Sequence, residues 1–184
     1  MSNQATVLLS GGIDSAACAR YLQAEYEQIK GLFVDYGQAA ARHELHSAEA
    51  LSRLLSITLL TARYESLQSY GSGEILGRNA FLVFAALMAA PGPGVIDLGI
   101  HEGTRYYDCT LGFLASVDRL VAEYTDGCIR VIAPFISWSK RRVFEYYVST
   151  GFPAEIAYSC EAGTDPPCGL CSSCLDRRTL NCTP

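Results

Sequence analysis

Two rhythms of apolar and polar positions run through this chain. Short apolar runs at Thr6–Leu9, Ile29–Val34, Ser56–Leu60, Val95–Gly99 and Arg130–Ile132 have the length and residue types of buried strands. Longer stretches between them place apolar residues at helical spacing: Ser15–Tyr26, Ala40–Leu55, Asn79–Ala90 and Cys109–Tyr124. A further one, Ser139–Thr150, follows the last strand. Strands alternating with helices predict an α/β fold, a mainly parallel sheet flanked by helices. Pro91-Gly92-Pro93-Gly94 reads as a helix-to-strand connection rather than a boundary, so residues 1–184 are expected to form a single domain.

In such sheets ligands sit beyond the carboxyl ends of strands, and the unusual motifs follow strands here. Ser10-Gly11-Gly12-Ile13-Asp14-Ser15 follows the first, Asp35-Tyr36-Gly37-Gln38 the second, the segment from His101 to Cys109 the fourth and Pro134 to Lys140 the fifth. Glycines in the first motif permit a tight turn that aims backbone N–H groups at one point, and the next helix adds unpaired donors. Such a loop suits phosphate or pyrophosphate. It lacks the Lys-Ser/Thr ending of a Walker A motif and the three-glycine dinucleotide fingerprint. The plain alternative is a strand-to-helix turn capped by Asp14 or Ser15.

Composition narrows the classes. Hydrophobic residues make up 49% of the chain, too many for a disordered segment, and the net charge of −5 argues against a broad nucleic-acid surface. Phe81 to Ala90 is too short to span a bilayer, and Met1-Ser2-Asn3-Gln4 lacks the features of a signal peptide. A cytoplasmic protein with no membrane or nucleic-acid partner is expected, and there eight cysteines need an explanation other than disulfides. Cys160, Cys168, Cys171 and Cys174 have the spacing of thiolates that converge on one tetrahedral Zn²⁺, as a structural site within a tail of residues 158–184. An iron–sulfur cluster and a redox pair also use such spacing. Cys18 and Cys128 are expected in the core; Cys182 has no assigned place. Arg177 and Arg178 either contact phosphates or lie at the surface.

The Ser10–Ser15 loop resembles the PP-loop of ATP pyrophosphatases, which cleave ATP between the α and β phosphates. The resemblance sharpens when Asp35-Tyr-Gly-Gln38, Arg42-His43-Glu44-Leu45, Gly77-Arg78-Asn79, Tyr106-Tyr107-Asp108-Cys109, Ser139-Lys140 and the four-cysteine tail are read in order. Together they resemble the 7-cyano-7-deazaguanine synthase (QueC) family over nearly the whole length. That resemblance implies a Rossmann-like fold of the adenine nucleotide alpha hydrolase (HUP) kind with a C-terminal zinc loop. It implies ATP, Mg²⁺ and Zn²⁺ as cofactors and a homodimer. ATP would activate the carboxylate of 7-carboxy-7-deazaguanine as an acyl-adenylate, ammonia would give the amide, and a second ATP the nitrile.

On this reading Ser10, Gly11, Gly12 and Ser15 grip pyrophosphate, and Asp14 orders the loop or helps hold Mg²⁺. Lys140 and Arg78 neutralise phosphate charge, and Asp108 accepts hydrogen bonds from a purine-like edge. Asp35, with Tyr36, Gly37 and Gln38, lies by the nucleotide. Each has a plainer alternative: Asp35 capping the turn at Gly37, Asp108 capping the next helix, Arg78 and Lys140 facing solvent, His43 on a polar helix face. Two departures stand out. The stretch between Gln38 and Gly77 is shorter than in the family, and Glu102-Gly103-Thr104-Arg105-Tyr106-Tyr107-Asp108-Cys109 replaces the usual Asp-Tyr-Ser-x-Tyr-Pro-Asp-Cys. Glu102 would replace the lost carboxylate and Arg105 would be a new cation. Shortened relatives in antiviral operons suggest an alternative, a ligase that attaches the deazaguanine to a partner protein's amine. A zinc-stabilised nucleotide-binding regulator without turnover is the remaining one.

Overall fold

A computed structural model describes residues 4–65, 67–180 and 182. Five parallel strands form one sheet in the order β3-β2-β1-β4-β5: β1 Gln4–Leu8, β2 Gln28–Asp35, β3 Thr58–Arg63, β4 Gly94–Asp97 and β5 Ile129–Ile132. The helices are α1 Ile13–Leu22, α2 Ala41–Leu55, α3 Arg78–Ala89, α4 Leu111–Tyr124, α5 Lys140–Ser149 and α6 Ser172–Thr179. No described helix is long and apolar enough to cross a membrane.

The sheet's two faces follow the period-2 alternation of its strands. Leu8, Leu32, Val34 and Ile96 pack with Val83 and Ala86 of α3 and with Phe113, Val117 and Val121 of α4. Val7, Leu9 and Phe33 point the other way. There Val7 meets Ala19 and Leu22 of α1, while Leu9 and Phe33 meet Ala48 of α2. Both faces are covered at the centre of the sheet, which is why its central strands read as apolar runs, while the edge strands keep Thr58, Thr61, Arg63 and Arg130 exposed. Small residues at Ala16, Ala17, Cys18 and Ala19, all fully buried, let α1 lie close to the sheet. Phe135, Val143 and Tyr147 then seal α5 against α1.

Several expected boundaries move for identifiable reasons. Ser56 does not open β3. It ends α2 in the left-handed conformation, φ 55°, with its N–H returned to the Arg53 carbonyl. The helix expected from Cys109 starts at Leu111, because the Thr110 hydroxyl accepts the Phe113 N–H as its cap and residues 107–109 form a 3₁₀ turn. Ser139 caps α5 in the same way through Arg142 N–H. Cys18 is buried as expected; Cys128 is exposed, in the turn that leads into β5. Chain connections run from β1 to β2 and β3 on one side, then return to β4 on the other. Such a reversal opens a crevice at the carboxyl ends of β1 and β4.

Candidate active site

The Ser10–Ser15 loop sits in that crevice. Gly11 adopts φ +83°, and a Cβ there would lie 2.4 Å from the Glu44 carbonyl oxygen, so α2 closes directly over a bare backbone. Gly12 caps α1 in an extended conformation, leaving the first N–H groups of the helix without intrahelical partners. Ser10 Oγ and Ser15 Oγ lie 3.2 Å apart, and Ser15 Oγ donates to the Gly12 carbonyl at 3.1 Å. The end of β4 presses in from the far side: a Cβ on Gly99 would stand 3.2 Å from the Ser15 backbone.

A cleft of about 670 Å³ opens from this loop. Ser10, Gly12, Asp14, Ser15, Tyr36, Gln38, Arg78 and Lys140 all line it. Lys140, the first residue of α5, places Nζ 2.7 Å and 2.5 Å from the two Asp14 carboxylate oxygens. Thus the first turns of α1 and α5 meet at one ion pair beside the glycine loop. Arg78 stands across the cleft at the start of α3, with Nε donating to Asn79 Oδ1 at 3.3 Å. Gln38 is held rigidly: its amide donates to the Val34 carbonyl at 3.1 Å and to Glu44 Oε2 at 3.0 Å, while its oxygen accepts the Tyr36 N–H. Burial raises the Glu44 carboxyl above its ordinary range, opposed by the Gln38 hydrogen bond and the Arg78 charge. Burial likewise raises the Tyr36 phenol, which Arg78 partly offsets.

Four expected positions lie outside the lining. Gly11 and Gly37 shape turns behind it. Asp35 Oδ1 accepts the Gly37 N–H at 3.1 Å, and Oδ2 faces the exposed Arg63 guanidinium at 3.6 Å, so its carboxylate orders the turn after β2. Asp108 is buried, and its carboxylate accepts the Asn79 N–H at 3.1 Å while its carbonyl accepts from the Asn79 amide at 2.9 Å. It therefore clasps the start of α3, where an N-terminus favours an anion, rather than capping α4. Its neighbour Cys109 does reach the cleft, with a thiol pushed by burial up to about 11.

The cysteine tail is packed onto the loop. Tyr158 N–H donates to the Gly11 carbonyl at 3.1 Å, and Gly163 lies so tightly on Ala39 that a Cβ would meet its carbonyl oxygen at 2.1 Å. The sulfurs of Cys160, Cys168, Cys171 and Cys174 all fall within 4.8 Å of one another. Backbone N–H groups of Cys168, Leu170 and Cys171 point at sulfur at 3.3 to 3.4 Å, as suits thiolate charge. Glu161 draws the parts together: it accepts from Ser172 Oγ, Ser173 Oγ and Ser173 N–H at α6, and from Gly73 N–H across the cleft mouth. Arg177 is buried and donates to the Ala157 and Ala154 carbonyls and the Cys182 sulfur, as a brace under the tail. His43 stacks on Tyr158 at 4.9 Å, beside a smaller hollow next to the cysteines.

Sequence reasoning missed one cleft residue of consequence. His101, just after β4, donates from Nδ1 to the Glu102 carbonyl at 2.7 Å and places Nε2 3.9 Å from Asp14 Oδ2. Its position at a strand end beside the altered segment was the available signal.

Comparison with known proteins places this geometry. Among solved structures, NMN synthetase from Francisella tularensis superposes with TM-score 0.56 at 18% identity, over 88% of this chain and 68% of the other. The U34-tRNA thiolase NcsA from Methanococcus maripaludis with its [4Fe-4S] cluster gives 0.50 at 14%, over 98% and 74%. At such identities they speak to the fold alone. The family model described as "Queuosine biosynthesis protein QueC" matches residues 4–80 and 75–180. The 7-cyano-7-deazaguanine synthase of Methanothermobacter thermautotrophicus is 33% identical, over 95% of this chain and 92% of its own length. That of Koribacter versatilis is 30% identical, over 96% and 87%. The glycine loop, the crevice and the cysteine tail thus fall within matches that run almost end to end, and the chain belongs to the QueC family.

Proposed function

We propose that this chain is a cytoplasmic, ATP-dependent C–N ligase. It adenylates the carboxylate of 7-carboxy-7-deazaguanine, releases pyrophosphate, and passes the acyl group to ammonia; a second ATP converts the amide to 7-cyano-7-deazaguanine. The observation that carries this reading is the bare glycine loop with the Lys140–Asp14 pair at its edge, set at the switch point of the sheet. The synthases it resembles over nearly their full length support it.

A carboxylate is a poor electrophile because its leaving group would be oxide, and adenylation supplies a better one. The catalyst must hold the leaving pyrophosphate and neutralise its growing charge. Ser10, Ser15 and the free N–H groups after Gly12 supply donors, and Lys140 supplies a cation. Asp14 would hold Mg²⁺, which when bound screens phosphate charge. Arg78, with Tyr36 and Gln38, fixes the far wall, where the planar base would lie. Water must be kept from the acyl-adenylate, and the bound nucleotide and acid would themselves fill much of the cleft. With the enzyme, ATP and 7-carboxy-7-deazaguanine, pyrophosphate and AMP are expected to appear only when the acid is present, and with ammonium the nitrile is expected by mass spectrometry. Nucleotide binding without acid-dependent pyrophosphate would reject the reading; an acyl transfer only to a protein amine would redirect it.

The cysteine site would hold zinc. Metal–sulfur bonds of about 2.3 Å place tetrahedral sulfurs roughly 3.8 Å apart, and Cys168 and Cys174 already stand at 4.0 Å. Four thiolates leave no position for a reacting water, so the ion would tie α6 and Glu161 to the loop. Native mass spectrometry is expected to show one zinc per chain, lost in Cys171→Ser, and a dimer formed through the exposed Met88, Leu120 and Tyr124 of α3 and α4. Iron with sulfide, or a monomer at micromolar concentration, would contradict these two statements in turn.

A further inference from the structure

We propose that Glu44 is the residue that reads the guanine-type edge of the acid. This rests on the acyl-adenylate reading above and deepens it. The ring of 7-carboxy-7-deazaguanine presents two donors side by side, N1–H and the 2-amino group, next to an oxygen that accepts. Such a donor edge calls for an acceptor fixed in place, and a carboxylate is the strongest that side chains offer. Asp108 does not serve: it lies outside the cleft lining, and its carboxylate accepts the Asn79 N–H.

Among the described residues the cleft is lined by the carboxylates of Asp14, Glu44, Glu102, Glu161 and Asp176. Asp14 is taken by Lys140. Glu161 spends one oxygen on Gly73 N–H and the other on Ser172 and Ser173 of α6. Glu102 and Asp176 are exposed. Glu44 is left, half-buried in the first turn of α2. Its Oε2 accepts from Gln38 Nε2 at 3.0 Å, and among the described residues Oε1 has no hydrogen-bond partner. Gln38 cannot read a base itself. Its amide also donates to the Val34 carbonyl and its oxygen accepts the Tyr36 N–H, so every atom is spent on holding the Glu44 carboxylate in one orientation.

Arg78 completes the complement. It lines the same cleft, and its charge favours the ionised form of Glu44, yet the two form no ion pair among the described residues. Opposite charges that face each other unpaired leave a slot for a ligand, with the ring's donors against Glu44 and its oxygen against the guanidinium. Tyr36 supplies a flat wall, its ring braced by Tyr70 and Phe81 at 5.8 and 6.1 Å between centroids. The Glu44 carbonyl also abuts the bare backbone of Gly11, which ties the base-reading carboxylate to the phosphate loop.

The test compares 7-carboxy-7-deazaguanine with its counterpart lacking the 2-amino group, in acid-dependent ATP–pyrophosphate exchange. The wild type is expected to favour the first by about 100-fold in kcat/KM, because the second leaves a buried acceptor unpaired. Glu44→Gln keeps an oxygen for Gln38 but turns the other acceptor into a donor. Its kcat/KM for 7-carboxy-7-deazaguanine is expected to fall about 100-fold, mostly through KM, with the KM for ATP within about threefold of wild type. Its preference for the 2-amino group is expected to shrink below about fivefold. A packing role alone would weaken both acids equally and leave that preference intact, which would overturn the assignment. A rise in the KM for ATP instead of the acid would give the carboxylate to adenine and overturn it too. So would a wild type indifferent to the 2-amino group, whatever the variant does. Should Glu44→Gln lose its melting transition, Glu44→Asp withdraws the same charge by one methylene; it is expected to lose part of the preference, and keeping all of it would overturn the assignment. Absence of exchange with 7-carboxy-7-deazaguanine in the wild type would instead remove the acyl-adenylate reading itself.

Discussion

Lys140→Ala is expected to slow acid-dependent pyrophosphate release by about 10²–10³-fold while leaving the melting temperature nearly unchanged. The two halves of that expectation have separate causes. Lys140 and Asp14 each keep about a quarter of their side-chain surface exposed, 26% in both cases. An ion pair that wet is screened, and contributes about 0–1 kcal/mol to stability. Its catalytic weight is different in kind. Lys140 opens α5, so its ammonium and the positive end of that helix act on the same point as the N–H groups of α1. On the proposed reading, negative charge accumulates there as the α–β phosphate bond breaks, and a fixed cation would stabilise it in proportion to that growth. The loss should therefore fall on kcat more than on KM. Lys140→Arg keeps the charge but spreads it over a planar fork that cannot fit both Asp14 oxygens and a phosphate in the same place, so only partial recovery is expected. A Lys140→Ala enzyme within threefold of wild-type kcat would show that the pyrophosphate is held by the backbone alone.

The same site shows what a sequence can disclose. The five strands and five long helices follow from period, since the central strands are apolar runs covered on both faces, while the edge strands β3 and β5 alternate apolar with exposed polar residues. The glycine loop is legible because its chemistry is local: six consecutive residues build it. What stays hidden depends on partners distant in sequence. Asp108 reads as an acceptor for a purine-like edge or, more plainly, as a cap for the helix after it; its carboxylate in fact accepts from Asn79, 29 residues earlier. His101 gains meaning only when β4 ends beside the start of α5. Helix α6 escaped notice because Ser-Ser-Cys-Leu-Asp-Arg-Arg-Thr carries no apolar stripe; Cys174 and Arg177 are its buried residues, held by the sulfur cluster and by backbone carbonyls. Ser56 failed for the opposite reason: it interrupts a seemingly continuous apolar run, and the left-handed turn it makes has no signature in a serine.

Asp97→Asn is expected to stabilise the protein, and by more at pH 8 than at pH 5. Asp97 ends β4, paired in register with Val7 of β1 and Ile132 of β5. It is completely buried, and neither carboxylate oxygen has a hydrogen-bond partner. Burial lifts its pKa from 3.8 to about 8; the Cys18 thiol offsets this only slightly and does not reach hydrogen-bonding geometry. The sign follows from proton counting. Below the unfolded value of 3.8 both states hold the proton and nothing is lost. Between that value and about 8 the unfolded chain releases its proton while the folded chain keeps it, so stability falls as pH rises, by about 1.4 kcal/mol per unit at most. Above the folded value the loss is complete, with an upper bound of about 6 kcal/mol over the whole window. Asparagine matches the carboxyl in shape and has no charge to desolvate, so the variant escapes this penalty. Urea unfolding of both proteins at pH 5 and pH 8 measures the difference, and the gap between them should widen by about 2–4 kcal/mol. A gap that stays constant across that interval would mean that Asp97 is ionised in the fold, paired with a cation or water that compensates its charge.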